Sequence, residues 1–201
     1  MSREYSTGFH DFSFGRSRTQ ARAISRVTAT FSRPADVTAY ASGDNIANST
    51  TAASVVPMTF TLAVPTGRIT GARCVVAPAS GSLVITALDF DLLLFRPASD
   101  IPFAAGSFPA DNAAMAITAA AMRQLVGVFA FANGAWRNPA GALTAGVAGV
   151  QAVAPSARSS YPFDVTDQAT DTLVGVVQAK GAWTPGAVVN QFDFALDVDL
   201  D

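Results

Sequence analysis

The sequence predicts an all-β fold: an antiparallel β-sandwich, jelly-roll-like, with an extended N-terminal arm and one short helix. Three observations lead there. Apolar and polar residues alternate with period two along about eight short stretches, and Gly, Pro, Asn and Ser fill the connections between them. Apolar residues also make up 50% of the 201, against 14% charged, enough for a continuous core and too little charge for a disordered chain. That core is expected to be thin, as between two sheets, because Ala alone supplies 39 residues.

The elements follow in order. Val27, Ala29 and Phe31 alternate with Thr28, Thr30 and Ser32 in a strand that Pro34 stops. Val55 to Val64, with Pro57 marking an edge or a bulge, and Ile69 to Ala77 are expected to form a hairpin around Pro65, Thr66 and Gly67. Leu83 to Phe95 carries the strongest strand signal, with Phe90, Leu92 and Leu94 alternating with Asp89 and Asp91. Further strands are expected at Ala114 to Ile117, Leu125 to Phe131, Thr172 to Gln178 and Gln191 to Leu200, and a helix of barely two turns at Thr118 to Gln124. In the last strand Phe192, Phe194, Leu196, Val198 and Leu200 share one face, and Asp193, Ala195, Asp197 and Asp199 the other, so one face is packed and the other acidic. Gly141 to Ser160 reads as a long loop with a weak strand near Val147 to Val153.

Charge divides the chain. The net charge is −2, but residues 1–33 hold six Arg against Glu4 and Asp11, and the remainder has seven basic and 13 acidic residues. Residues 1–25 lack both strand alternation and a helical apolar face, and so read as an extended basic arm before a single sandwich domain at 26–201. Its Arg3, Arg16, Arg18 and Arg22 suit carboxylates, and its Phe9, Phe12 and Phe14 suit apolar anchoring on an acidic partner surface. A solvated terminus and a nucleic-acid-binding arm are the other readings, the last disfavoured by a pI near 5.2.

Several functions are set aside. No segment reaches the roughly 20 apolar residues of a spanning helix and the N-terminus lacks a signal-like run, so a soluble protein made in a cytoplasm, with no membrane partner, is expected. Cys74 is the only cysteine and His10 the only histidine. No nucleophile elbow, P-loop or dinucleotide fingerprint is present, so no catalytic residue, cofactor or metal is assigned. The paired acids Asp89/Asp91 and Asp197/Asp199 have the spacing of one strand face. That spacing suits a solvated surface better than glycoside hydrolysis or calcium binding.

The most informative segment is Arg33 to Asp44, RPADVTAYASGD. Pro34 ends a strand, Asp36 can cap the next turn through its side chain, and Tyr40 precedes a Ser42-Gly43-Asp44 turn. Arg33, Pro34, Asp36, Tyr40, Gly43 and Asp44 resemble a motif of tailed-bacteriophage virion structural proteins. A second similar stretch runs from Leu94-Phe95 through Asp111-Asn112-Ala113-Ala114 to Leu125-Val126-Gly127-Val128. The resemblance spans roughly residues 27 to 131. It implies a non-enzymatic capsid decoration, or cement, protein on the virion surface, binding the major capsid protein as a homo-oligomer, a trimer by preference. A tail or fibre component is the alternative.

An internal echo completes the reading. Leu125-Val126-Gly127-Val128 is followed by Trp136, and Leu173-Val174-Gly175-Val176 by Trp183. The echo reflects either two similar strand exits or a duplication. Trp136 and Trp183 are expected to cover the end of the core, and with Tyr161 they are also the aromatics that an interface or a glycan site at one end of the sandwich would use.

Overall fold

Alternation places the large side chains of every long strand on one side, and two sheets close over them. A computed structural model describes residues 24–79, 88–97, 108–137, 150–153 and 161–200. It contains β1 (Ile24–Arg33), β2 (Asn45–Ile46), β3 (Met58–Thr61), β4 (Thr66–Pro78), β5 (Phe90–Phe95), α1 (Ala119–Met122), β6 (Leu125–Phe131), β7 (Val150–Val153), β8 (Tyr161–Asp164), β9 (Thr172–Ala179) and β10 (Asn190–Leu200). The first sheet runs β1-β10-β4, and β8 and β7 share the far edge of β4, at Thr66–Ile69 and Arg73–Val76. The second runs β6-β5-β9, and β2 and β3 share the far edge of β9. All pairings are antiparallel.

The all-β sandwich read from the alternation is therefore the fold observed. Its core is aromatic: Phe90 lies 5.1 Å from Phe131 and 5.9 Å from Phe192, ring centre to ring centre, and Phe131 lies 5.9 Å from Phe194. The first of these contacts is stacked and the other two edge-to-face, and both geometries add to the burial of the rings themselves. The second sheet is apolar on its outer face too. There Leu93, Phe95 and Val176 pack beneath Phe108, Met115 and Ile117, which explains why Leu92 to Phe95 does not alternate.

Several expectations change. The hairpin expected between Val55–Val64 and Ile69–Ala77 does not form. β3 pairs with β9 in the second sheet and β4 joins the first, so Pro65 and Thr66 carry the chain between sheets. A turn-like sequence does not distinguish a hairpin from an arch when both flanking strands bury one face. Ala114–Ile117 is not a strand but holds isolated bridge residues, Ala114 bridging to Asp44. The helix is shortened to Ala119–Met122, with the Thr118 hydroxyl accepting from the Ala121 amide. β2 and β8, two and four residues long, were too short to leave a pattern. β1 already includes Ile24 and Ser25, so the sandwich begins before residue 26. Residues 1–23, most of the expected arm, and 83–87 and 147–149 lie outside the described residues.

Candidate functional site

Arg33 ends β1 at an inward position, in step with Val27, Ala29 and Phe31. A guanidinium is thereby delivered into the end of the core, where Arg33 is 0% exposed. A charge so buried persists only if paired and hydrogen-bonded. Its Nε donates to the Tyr40 hydroxyl at 2.6 Å and lies 3.5 Å from Asp111 Oδ2, and its Nη2 donates to the Asp36 carbonyl. The Tyr40 hydroxyl donates in turn to Asp111 Oδ1 at 2.5 Å, and the same oxygen accepts from the Ala47 amide at 2.8 Å. The guanidinium also sits 5.4 Å from the Tyr40 ring centre and 5.6 Å from that of Trp183, which stack on each other at 5.2 Å.

Burial pushes the Asp111 carboxyl above its ordinary value, against the Ala47 amide, the Tyr40 hydroxyl and Arg33, which pull it down. Burial, reinforced by the neighbouring Asp111 charge, pushes the Tyr40 phenol far upward, so Tyr40 stays protonated and acts as a fixed donor.

The remaining motif residues fold the chain over this pair. The Asp36 carboxylate accepts from the Thr38 hydroxyl and amide at 2.7 and 2.9 Å, bonds that hold its carboxyl below the ordinary value. Tyr40 bridges to Trp183 by backbone, its amide donating at 2.8 Å. Gly43 takes φ +98°, a conformation that a side chain disfavours, and Asp44 Oδ2 closes the turn by accepting from the Ala41 amide at 2.6 Å. Immediately beyond, the Asn45 amide donates to the Ala113 carbonyl and the Asn112 amide to the Asn45 carbonyl, with Asn112 at φ +60°. The Arg33–Asp44 and Asp111–Ala114 stretches thus meet in one buried latch. Asp111, the acid that balances Arg33, is marked in the sequence only as part of the second stretch and not as a partner of Arg33. The available signal was an arginine at inward parity, which requires an acid from elsewhere in the chain.

The echo has a structural basis. β6 and β9 flank β5 in matching register, so Gly127 and Gly175 both lie opposite Leu94. A Cβ at Gly127 would come within 2.5 Å of Tyr161 Cγ, and one at Gly175 within 2.6 Å of Met58 Cε and 2.8 Å of Phe60 Cε2. Each glycine therefore makes room for a large side chain arriving from another strand. Both strands exit at the same end of the sandwich: Trp136, 0% exposed, donates its indole N–H to the Leu88 carbonyl, and Trp183, 1% exposed, covers Arg33. Tyr161 stacks edge-to-face on Phe129 and donates its hydroxyl to the Val128 carbonyl. Trp136 and Trp183 are thus closed into the core and present no ring to a glycan, while Tyr161 is half-buried against Phe129; closing the core gains more than exposing a flat indole to water.

The acidic face of β10 is also altered by its neighbours. Asp197 accepts from Arg26 of β1 at 3.1 Å and from Arg73 of β4 at 2.9 Å, and Asp193 from the Thr30 hydroxyl at 2.6 Å. Asp199 stands opposite Arg68 in the register. Elsewhere Arg96 pairs with Asp167, and Lys180 lies 3.4 Å from Asp91. Two of the six arginines of residues 1–33, Arg26 and Arg33, thus belong to the sandwich, leaving Arg3, Arg16, Arg18 and Arg22 against Glu4 and Asp11 before it. Cys74 is buried, and burial pushes its thiol up and away from reactivity. Among the described residues no three His, Cys, Asp or Glu side chains converge as a metal ion would require.

No family model matches the chain, and no curated protein matches it either.

Proposed function

We propose that this protein is a non-enzymatic capsid decoration, or cement, protein of a tailed bacteriophage, located on the virion surface and bound to the major capsid protein lattice. The observation that carries this reading is the division of charge. Residues 1–23 hold Arg3, Arg16, Arg18 and Arg22 against Glu4 and Asp11, a basic segment that suits an acidic surface on a partner, while in the body Asp197 of β10 accepts from Arg26 and Arg73. The buried latch supports it as well: Arg33 and Tyr40 of the motif are spent on holding the fold together, as suits a structural signature. The strand order supports a jelly-roll topology. With β2/β3 and β7/β8 each counted as one interrupted strand, the chain changes sheet at every connection except β5 to β6.

In this reading the sandwich, as a trimer at a local threefold position, covers the seam between capsomers, and the arms spread over their neighbours. Several weak arm contacts then act together, because the first attachment raises the effective concentration of the rest. The test is cosedimentation of the full chain and of a chain lacking residues 2–23 with purified expanded capsids. The truncated chain should keep its β circular dichroism and lose capsid occupancy. Undiminished occupancy would overturn the role of the arm. Light scattering on the free and the capsid-bound protein tests the trimer.

A further inference from the structure

Asn190 is the first residue of β10 and stands directly opposite Arg33 of β1, so both side chains enter the same end of the core. Asn190 is 0% exposed, and neither its amide nitrogen nor its amide oxygen has a hydrogen-bonding partner. Two further atoms of the latch share that condition, Arg33 Nη1 and Asp111 Oδ2, the latter 3.5 Å from Arg33 Nε. Four unmatched polar atoms thus come from three buried residues, Arg33 facing Asn190 across the β1–β10 pairing and contacting Asp111, against the general rule that interior polar groups are satisfied.

We propose that this end of the sandwich encloses ordered water, held between Arg33 Nη1, Asp111 Oδ2 and the Asn190 amide, as a built-in part of the latch. The donor and acceptor types select the ligand. Arg33 Nη1 and Asn190 Nδ2 donate; Asp111 Oδ2 and Asn190 Oδ1 accept. An anion would be repelled by Asp111 and a cation by Arg33, whereas water both donates and accepts, and two to four polar partners are what a buried water requires. The Tyr40 and Trp183 rings, stacked over the guanidinium, shield the position from bulk solvent. Water there completes the bonding of Arg33 and links β10 to the 110–114 segment, which no direct side-chain bond from Asn190 does.

Two measurements on the full-length chain decide it. A crystal structure at atomic resolution should show a solvent peak within hydrogen-bonding distance of at least two of the named atoms. A site without such a peak, or with Asn190 bonded directly to protein, would overturn the proposal. Independently, Asn190→Leu separates wet from dry by the sign of its effect. If the pocket is dry, removing an unsatisfied amide raises Tm. If it holds water, the substitution strips the water of its partners and lowers Tm, by roughly 2–10 °C for a chain of this size. A higher Tm for Asn190→Leu would refute the water site, and if that variant fails to fold, the wild-type density alone decides.

Discussion

Replacing Tyr40 with phenylalanine removes one oxygen atom and keeps the ring that stacks on Trp183 at 5.2 Å. That oxygen accepts from Arg33 Nε at 2.6 Å and donates to Asp111 Oδ1 at 2.5 Å, so the change strikes two charge-assisted bonds at once. Hydrogen bonds to charged groups contribute about 1.5–3 kcal/mol each. The two are not independent, because Asp111 Oδ1 keeps the Ala47 amide and Arg33 Nε keeps a long contact to Asp111 Oδ2. The expected loss is therefore about 2–4 kcal/mol, a large share of the ~5–15 kcal/mol that holds a typical domain together. It should appear as a fall in Tm of roughly 4–16 °C, and in urea as a lower midpoint with unchanged slope. A cycle with Asp111→Asn and the double variant isolates the Tyr40–Asp111 coupling. A Tyr40→Phe protein within about 0.5 kcal/mol of wild type, or strictly additive variants, would refute the claim that the latch holds the end of the sandwich.

The paired glycines and the paired acids can be tested by the same melts. Gly127→Ala must displace the Tyr161 ring, at about 1–3 kcal/mol for an overpacked site, whereas Gly134→Ala enters open space and should leave Tm nearly unchanged; equal losses at both would show that the Tyr161 contact is not the cause. At Asp197 burial opposes ionisation, but hydrogen bonds from Arg73 and Arg26 prevail and hold its carboxyl below the ordinary value. A carboxyl depressed in the folded state adds stability that is complete above its unfolded pKa and is lost as pH falls through its folded one. The Tm gap between wild type and Asp197→Asn should therefore narrow from pH 7 to about pH 3; a gap that stays constant would show that the Arg26 and Arg73 bonds to Asp197 do not stabilise the fold.

The latch also gives the motif a physical meaning. A loop that follows a strand ending in a buried arginine is constrained at each step: Pro34 stops the strand, Asp36 turns the chain, Tyr40 shields and bonds the charge, and Gly43 permits the return. The 110–114 segment then supplies the acid. Breaking one partner of such a pair costs far more than the pair contributes over an apolar substitute, because the survivor remains buried and charged.

By itself the sequence determined the fold class and most strand positions, because one-sided burial of a sheet writes a period of two into β1, β4 and β10. It also determined the position of the turn at Gly43 and the alternation of acids along one face of β10. Only the tertiary structure decided which strands pair, since Val55–Val64 and Ile69–Ala77 look alike whether joined as a hairpin or as an arch. It also decided that Tyr161 packs into the space left by Gly127, and that Arg33 finds its acid at Asp111. A side chain's parity is local, whereas its partner is chosen by the pairing of strands far apart in sequence, and no short pattern encodes that choice.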